Sequence, residues 1–516
     1  MINKYTKISI TTVLLCISMN VAAVQETYTY TSSSKLASVD GVRTDVSDIE
    51  LYHYDTDNNL SEIVNALAHS VKFQNYNLSG KAQTIIDANN VSTQLTYDRK
   101  NRITSTNMDG RVTQFQYNNY GLLTLVALPY GDTITFSYDD ARRLIKILNG
   151  NNDAVEYNYN SKGNITKTQV ILSNGSVVRE ANSTYDELGR LLSLNTGAFI
   201  FQYSYDKNSN QSEERVGGKE EKSEYDEFNR LTTITDALLG ITQLEYNDQD
   251  VLVSVLDARN NATQYSPDFQ GNIVELNSHD TGVSQMQYDA ASNLISKVDA
   301  RGVLIQYSYD ALNRLILIDS PVDDYDFTYE YDNAESSRFG IGKLTTISNS
   351  FSTIDYFYNQ YGEVTKTLHI IEGKVYQILY GYLNGLLTKV TYPNGREILY
   401  SYNAQAQIVN VHSLYEGKTI ELANDIAYLP QGPIKSMSYG NGKLLTKNYD
   451  TSFSMTNQAV TGVFDYGITY DNAANIQSII DNLAPHESKT YNYDNKNRLT
   501  SVTVNNIEAQ SFSYDS

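Results

Sequence analysis

The residue types that most often carry catalysis and metal binding occur in this chain, but they are not spaced for either task. Its six histidines are scattered along 516 residues, without the spacing of a zinc ligand set. Neither a His-Glu-x-x-His motif nor a Gly-x-Ser-x-Gly nucleophile elbow is present. The 60 acidic residues mostly recur at turn positions, so a given carboxylate pair is more readily structural than hydrolytic. We therefore predict no catalytic residue, no metal site, no cofactor and no enzymatic activity.

One glycine-rich segment superficially resembles a phosphate-binding loop. Gly340-Ile341-Gly342-Lys343 is followed by Leu344, where such a loop carries the Ser or Thr that binds Mg²⁺. The motif is incomplete, so we interpret the segment as a turn.

The dominant pattern is a tyrosine followed by aspartate or asparagine, which we call the anchor. Twenty-two anchor positions recur from Tyr54 to Tyr514, and 16 of the 21 intervals between them are 20 to 22 residues long. One anchor is substituted, by Pro267. A fixed period of this length is typical of arrays whose units are stable only against their neighbours.

Each anchor opens a motif that is typical of a tight turn. Aspartate or asparagine follows 20 of the 22 anchors, and Val, Ile or Leu stands six residues after the anchor in 16 of 21 units. The aspartate or asparagine side chain can accept hydrogen bonds from backbone amides within the turn. The fourth residue after the anchor lies where a tight turn requires a left-handed backbone conformation. Residues predicted to be left-handed there are Gly121, Gly163, Gly189, Gly362, Asn101, Asn229, Asn313 and Asn497.

The most regular units supply the predicted structural positions of the array. These are Tyr97, Asp98, Tyr138, Asp139, Tyr185, Asp186, Gly189, Arg190, Tyr225, Asp226, Arg230, Tyr288, Asp289, Tyr309, Asp310, Arg314, Tyr470, Asp471, Tyr493, Asp494 and Arg498. The recurrent arginines, which also include Arg102 and Arg143, are predicted to lie beside turn acids or over tyrosine rings.

Alternating residues mark strands on both sides of each turn. One face of the incoming strand is predicted to carry Val303, Ile305, Tyr307 and Tyr309. The outgoing strand Leu294–Val298 is predicted to place residues 294, 296 and 298 opposite this face. One unit is therefore two strands and two turns. We predict an all-β fold in which tandem β-hairpin repeats form one spiralling antiparallel sheet, either an open barrel or a solenoid.

Composition supports this fold class and limits the partners. The chain has 43 Tyr and no Trp, and tyrosine favours strands. Its formal net charge of -21 repels phosphate backbones, so nucleic acid is not an expected partner. The ten residues Glu213–Lys222 are strongly charged and are predicted to form a solvated hairpin tip.

The N-terminus has the layout of a secretory signal peptide. Lys4 and Lys7 precede a short apolar stretch, and Val21-Ala22-Ala23 offers small residues for cleavage. We predict a signal peptide over 1–23, a lead-in strand or linker over 24–50, and the array over 51–516. The only cysteine, Cys16, falls in the leader, and no later segment is apolar for long enough to span a membrane. The protein is expected to be extracellular or at the cell surface, with the periplasm as the alternative.

These anchors and turns resemble the tyrosine–aspartate (YD) repeats of the Rhs family, which also occur in toxin-complex shells and in teneurins. The resemblance covers about residues 51–516. It implies one long sheet that spirals into a hollow shell, which in some members encloses a toxic C-terminal polypeptide and in others serves adhesion. The Pro- and Asp-rich self-cleavage motif that ends toxin-carrying shells is not found.

Two functions remain open on this basis. The first is a shell or scaffold segment that encloses a downstream cargo polypeptide. The alternative is an extracellular adhesin that binds a cell-surface glycan or protein through exposed tyrosines and polar faces. Because Tyr514-Asp515-Ser516 opens a further unit, we expect the array to be incomplete at its C-terminus and the chain to be part of a longer protein or gene.

Overall fold

A computed structural model describes residues 25–321, 326–335, 337–430, 432–505 and 507–514. Within these residues, 45 strands form a single antiparallel sheet. The predicted signal peptide lies outside the described residues. The predicted lead-in, 24–50, contributes two strands that pair with each other, and the second of them pairs with the first anchor strand. None of the described residues form a helix with the length and hydropathy needed to cross a bilayer.

The first 24 strands make up what we call the first coil. They are β1 Thr27–Tyr30, β2 Leu36–Asp40, β3 Glu50–Tyr54, β4 Leu60–Val64, β5 Ser70–Tyr76, β6 Ala82–Ile86, β7 Ser92–Tyr97, β8 Ile103–Met108, β9 Arg111–Tyr117, β10 Leu123–Ala127, β11 Thr133–Tyr138, β12 Leu144–Leu148, β13 Ala154–Tyr159, β14 Ile165–Ile171, β15 Val177–Tyr185, β16 Leu191–Asn195, β17 Ile200–Tyr205, β18 Gln211–Val216, β19 Lys219–Tyr225, β20 Leu231–Thr235, β21 Ile241–Tyr246, β22 Leu252–Leu256, β23 Ala262–Pro267 and β24 Ile273–Ser278.

The remaining strands make up the second coil, which also contains a short 3₁₀ helix over Pro485–Glu487. They are β25 Gly282–Tyr288, β26 Leu294–Val298, β27 Leu304–Tyr309, β28 Leu315–Asp319, β29 Phe327–Tyr331, β30 Leu344–Ser348, β31 Ser352–Tyr358, β32 Val364–Ile371, β33 Lys374–Leu383, β34 Leu386–Thr391, β35 Glu397–Tyr402, β36 Ile408–Tyr415, β37 Lys418–Tyr428, β38 Ile434–Tyr439, β39 Leu444–Tyr449, β40 Met455–Val460, β41 Phe464–Tyr470, β42 Ile476–Asp481, β43 Lys489–Tyr493, β44 Leu499–Val504 and β45 Ile507–Ser511.

Each strand pairs with the strands before and after it in the chain, so the sheet is a continuous meander. One unit contains an incoming strand that ends at the anchor, a Tyr–Asp turn, an outgoing strand and an inter-unit turn. In β27, the side chains of Ile305, Tyr307 and Tyr309 are half-buried and alternate with exposed neighbours. The predicted face of this strand is confirmed.

A β-bulge follows the anchor and changes the face of the outgoing strand. In the pairing of β25 with β26, the register shifts between Gln287 and Tyr288, so that Tyr288 lies opposite Leu294 and Gln287 opposite Ser296. Lys297, rather than Ser296 or Val298, then lies opposite Ile305. Simple alternation was wrong here because the bulge inserts one residue, Ile295, into the ladder.

The sheet winds so that units far apart in sequence meet. Hydrogen bonds and ion pairs join the inter-unit turns of the first coil to the Tyr–Asp turns of the second, as between Arg111 and Glu363, which are 252 residues apart. This distance corresponds to about twelve units per coil. We call the line of contact between the coils the seam.

Buried residues lie both in the connecting segments and in the strands. Arg43, Val91, Asp132 and Phe199 lie in connecting segments of the first coil, and Leu429 lies in a turn of the second, and all are buried. Most strand residues are half-buried because the sheet is a single layer, but some, such as Val170, Leu445 and Ser413, are buried. The sheet is therefore held by backbone ladders, by contacts between neighbouring units and by the seam.

Two of the three longest units extend their hairpins, and the third extends a turn. The unit that starts at Tyr159 contains the nine-residue β15, and the unit that starts at Tyr402 contains the eleven-residue β37. In the unit that starts at Tyr331, the extra residues lie between β29 and β30, at the Tyr–Asp turn.

Candidate functional site

The Tyr–Asp turn is the smallest recurring structural element of the array. In the unit of Tyr97, the Asp98 carboxylate accepts hydrogen bonds from the backbone amides of Lys100 and Arg102, at 2.8 and 3.0 Å. Asn101 has a φ of 60°, in the left-handed region where asparagine is tolerated. The eight residues predicted to be left-handed all have positive φ. Aspartate thus closes the turn, and glycine or asparagine allows it.

An arginine joins each regular turn to the next unit. Arg102 Nε donates to Asp98 Oδ2 at 2.7 Å, and its guanidinium carbon lies 4.4 Å from the ring centroid of Tyr117, the following anchor. This side-chain hydrogen bond from Arg102 is the main cause of the lowered pKa of Asp98. We call this arrangement the arginine clamp.

The same clamp recurs wherever the motif has arginine five residues after the anchor. The Nε–Oδ2 distances are 2.6 or 2.7 Å in the pairs Arg143–Asp139, Arg190–Asp186, Arg230–Asp226, Arg314–Asp310 and Arg498–Asp494. The same arginines lie 4.3 to 5.0 Å from the rings of Tyr159, Tyr205, Tyr246, Tyr331 and Tyr514. Each arginine therefore contacts a turn acid and a tyrosine ring at once, whereas the sequence had suggested either contact.

Asparagine replaces arginine in two of the predicted anchor units. Asn293 donates to Asp289 at 2.8 Å and to Asn313 of the next turn at 2.8 Å. Asn475 makes the equivalent bonds to Asp471 and Asn497, at 2.9 and 2.8 Å. An amide can therefore link neighbouring turns through hydrogen bonds alone.

The anchor hydroxyls form a ladder along the sheet. Tyr309 donates its hydroxyl to the backbone carbonyl of Leu294, the first residue of the preceding outgoing strand, at 3.0 Å. The bulge leaves this carbonyl at a distorted point of the ladder, and the hydroxyl satisfies it. The sequence showed which residue type recurs but gave no indication of this bond.

Twenty anchor tyrosines among the described residues make the equivalent bond. They are Tyr54, Tyr76, Tyr97, Tyr117, Tyr138, Tyr159, Tyr185, Tyr205, Tyr225, Tyr246, Tyr288, Tyr309, Tyr331, Tyr358, Tyr402, Tyr428, Tyr449, Tyr470, Tyr493 and Tyr514. Burial raises the pKa of many of them, Tyr358 among them.

A bidentate ion pair joins the two coils at the seam. Arg111 of the first coil donates to both carboxylate oxygens of Glu363 in the second, at 2.7 and 3.0 Å. Its guanidinium carbon lies 3.3 Å from the ring centroid of Tyr361, whose hydroxyl donates to the carbonyl of Asp109 at 2.9 Å. Burial opposes ionisation of Glu363, but the hydrogen bonds from Arg111 and Asn359 outweigh it and lower the pKa of this carboxyl.

Further contacts follow the seam in sequence order. Arg43 lies 3.6 Å from Asp289, and Gln405 accepts a hydrogen bond from Asn151 at 2.6 Å. Ser452 donates to the carbonyl of Thr196 at 2.6 Å. The turns of one coil therefore bind the turns of the next at many successive points.

Two segments singled out in the sequence are seam elements. The amide of Ile341, in the glycine-rich segment, donates to Asn89 of the first coil at 2.9 Å, so this segment is a coil contact. The charged hairpin Glu213–Lys222 was predicted to be solvated, and its residues Arg215, Gly218 and Lys222 are exposed, but Lys219 is not free in solvent. Lys219 at its tip donates to the carbonyl of Asp494 at 3.1 Å, because the tip packs against a second-coil turn.

Among the described residues, no three His, Cys, Asp or Glu side chains are grouped so as to hold a metal ion. The clamp, the hydroxyl ladder and the seam are structural contacts, and the arrangement is suited to building a wall.

The sequence matches two described families of repeats. Residues 63–177 and 154–241 match Teneurin YD-shell, and residues 288–324 match RHS Repeat. No curated protein matches the sequence.

Solved structures share the fold at low sequence identity. The crystal structure of TcdB2-TccC3-TEV is 12% identical over 92% of this chain, with a TM-score of 0.68. TcdB2-TccC3 without its hypervariable C-terminal region is 13% identical over 93%, with a TM-score of 0.70. The Tc holotoxin pore of Photorhabdus luminescens is 13% identical over 93% of this chain, with a TM-score of 0.68. The chain spans 33% of the length of each.

The anchors, the single meandering sheet, the family matches and the shared fold agree with one another. Over residues 63–241 and 288–324 the chain is similar to the Teneurin YD-shell and RHS Repeat families, and it shares the fold of the toxin-complex structures.

Proposed function

We propose that this chain forms part of the wall of a hollow shell that encloses a polypeptide. The observation that carries the proposal is the seam, where turns 252 residues apart bind each other, as in the pair Arg111–Glu363. A sheet that only meandered would remain an open ribbon. A sheet whose successive coils are joined edge to edge separates an inside from an outside.

The toxin-complex structures support the shell and suggest the kind of cargo. One of them is described as lacking a hypervariable C-terminal region, so a polypeptide can follow such repeats in the same chain. We propose that a polypeptide of this kind, joined after the array, is the cargo.

Protease protection tests enclosure. An unstructured reporter with protease sites is fused after Ser516, and its cleavage is compared with that of the free reporter. We expect protection in the native chain and faster cleavage in Arg111→Glu, which opens the seam by placing two carboxylates together. Cleavage of the native fusion at the rate of the free reporter would refute enclosure.

We also propose that the protein is exported and loses residues 1–23. The basic and apolar layout of the leader supports this, and the intact mass of the protein from its host tests it. A mass that includes the leader contradicts cleavage. A mass much larger than that of residues 24–516 identifies a longer chain and favours enclosure.

A cavity in the second coil favours adhesion as a second candidate function. β42 and β43 pair only at two positions, Ser478 with Thr490 and Ile479 with Lys489, and then diverge. The gap is lined by two half-buried tyrosines, Tyr466 and Tyr491, together with polar groups, and its volume is about 280 Å³. Aromatic rings beside carboxylate and amine groups suit a saccharide.

Glycan-array binding followed by calorimetry tests this candidate. Glu487 lines the cavity and is exposed, so Glu487→Ala should weaken binding without unfolding the chain. Glu508→Ala, on the exposed strand β45, is the matched control. If no glycan binds, or if both variants bind like the native chain, the cavity is not the adhesive site.

A further inference from the structure

A polar cavity of about 460 Å³ lies on the seam between the two coils. The first coil lines it with Gln94 of β7 and Asn107 of β8, which lie opposite each other in the ladder. The second coil lines it with Phe339 and Gln360, which belong to two different turns. The cavity therefore exists only where the sheet has wound back on itself.

Several polar groups of this cavity have no hydrogen-bond partner within the described part of the chain. Asn107 Oδ1 accepts a hydrogen bond from the amide of Gly110 at 2.8 Å, and Asn107 Nδ2 has no partner. Gln360 Nε2 donates to Asp109, and Gln360 Oε1 has no partner. The side chain of Asn90 is exposed and makes no hydrogen bond. Amide donors and acceptors are therefore available to a ligand.

Phe339 has a strained backbone conformation beside these groups. Its φ is 43°, in the left-handed region that bulky residues rarely adopt. It lies eight residues after the anchor Tyr331, outside the turn position where the repeat requires that conformation. Strain of this kind persists where the surrounding structure fixes it, and it is common at ligand sites.

The chemistry of the lining defines the class of ligand. Among the described residues that line the cavity, Asp109 alone is charged, and it already accepts a hydrogen bond from Gln360. The backbones of β7, β8 and β9 are paired with one another, so a peptide cannot bind there as an added strand. An uncharged ring that carries hydroxyls and has an apolar face matches both the free amides and the aromatic side chain.

We propose that this cavity binds an uncharged saccharide. Its hydroxyls bond to the side-chain amides of Asn90, Asn107 and Gln360, and one face of the sugar packs on the ring of Phe339. The site is separate from the gap between β42 and β43, and it does not depend on whether the shell encloses a cargo. Because its lining comes from both coils, a bound saccharide also holds the seam closed.

An array of uncharged oligosaccharides, followed by calorimetry with the glycan that binds, tests the site. Asn90→Gly removes one amide at an exposed position, and glycine adopts the φ of 62° found there without strain. We expect this variant to bind about tenfold more weakly, because one hydrogen bond is lost. Asn152→Gly is the matched control, since Asn152 is exposed, has a φ of 64° and occupies the same place in another inter-unit turn. It should bind like the native chain.

Phe339→Gly tests the ring. It removes the aromatic face and relieves the backbone strain, so we expect binding to be lost while the melting temperature does not fall. If this variant fails to fold, Asn90→Gly decides the question.

Binding of no uncharged glycan by the native chain would overturn the proposal, as would an unchanged affinity of Asn90→Gly. Loss of binding in Glu487→Ala alone would place the glycan in the gap between β42 and β43, and would also overturn it.

Discussion

The guanidinium carbon of Arg111 lies 3.3 Å from the ring centroid of Tyr361, although the two residues belong to different coils. The same guanidinium binds Glu363 with two hydrogen bonds. One side chain of the first coil is thus held by an aromatic face and by a carboxylate of the second. This group therefore joins the two coils at the seam.

Breaking this group should open the seam while leaving the hairpins formed. We expect Arg111→Met and Glu363→Gln each to destabilise the chain, with a coupling energy of about 1 kcal/mol or more in a double-mutant cycle. Urea unfolding with the four variants measures it. Purely additive effects would show that the pair contributes nothing to the seam.

Two adjacent glycines provide a matched test of close packing between the coils. Gly217 and Gly218 both have positive φ, but a Cβ on Gly217 would lie 2.6 Å from the backbone nitrogen of Ala473, whereas one on Gly218 meets nothing within 4 Å. We expect Gly218→Ala to cost about 1 kcal/mol from backbone strain and Gly217→Ala to cost clearly more. Equal thermal shifts would mean that the seam is not closed at this turn.

The hydroxyl ladder predicts a small cost for each tyrosine that loses its hydroxyl. Tyr309→Phe leaves the Leu294 carbonyl without its donor and should lower the free energy of unfolding by about 1 kcal/mol. Tyr120→Phe removes an exposed hydroxyl from the turn and should have almost no effect. Similar results for the two variants in urea unfolding would contradict the ladder.

The substituted anchor offers the reverse experiment. Pro267 ends β23 and has no hydroxyl to offer the preceding unit. Pro267→Tyr should restore the ladder and raise the free energy of unfolding by about 1 kcal/mol, as substitutions towards a repeat consensus often do. Pro267→Phe adds the ring alone, so a hydroxyl effect predicts that Tyr stabilises more than Phe. Equal stability of the two would refute it.

The turn aspartates predict how stability depends on pH. The hydrogen bond from Arg102 lowers the pKa of Asp98, whereas the same carboxyl in the unfolded chain titrates near its ordinary value of about 4. The contribution of such groups is present above that value and is lost as pH falls through the lowered folded pKa. We therefore expect the free energy of unfolding to fall steeply below about pH 4.

Removing one such carboxylate checks the assignment. Asp98→Asn should flatten the acid limb of the stability profile, because one fewer proton is taken up on unfolding. Asp248→Asn, in an exposed part of another turn, is the control and should preserve the slope. A flattening of the same size in both variants would mean that the clamp does not set the pKa of Asp98.

The sequence predicted the local structure because that structure is encoded locally. Alternation in β27 and the left-handed residue at Asn313 follow from neighbours a few positions away, and both were confirmed. The bulge at Ile295 was missed because an inserted residue leaves the hydrophobic pattern nearly unchanged. The ladder was missed because tyrosine packs well with or without a partner for its hydroxyl.

The contacts of the seam could not be predicted from the sequence, for a different reason. Lys219 and Asp494 meet only because the accumulated twist of many units brings their turns together. No short pattern encodes that sum, so the contacts that the charged hairpin tip and the glycine-rich turn make with the other coil could not be predicted.

The meandering order of the strands determines the order in which contacts can form during folding. Each strand finds its partners next to it in the chain, so hairpins can form as soon as their residues are available, at the low cost of closing short loops. The pair Arg111–Glu363 must instead wait for 252 further residues. Once one such pair has formed, the next needs only a short additional closure. The sheet should therefore form first as an open ribbon of hairpins, and the seam contacts should then form one after another along its length.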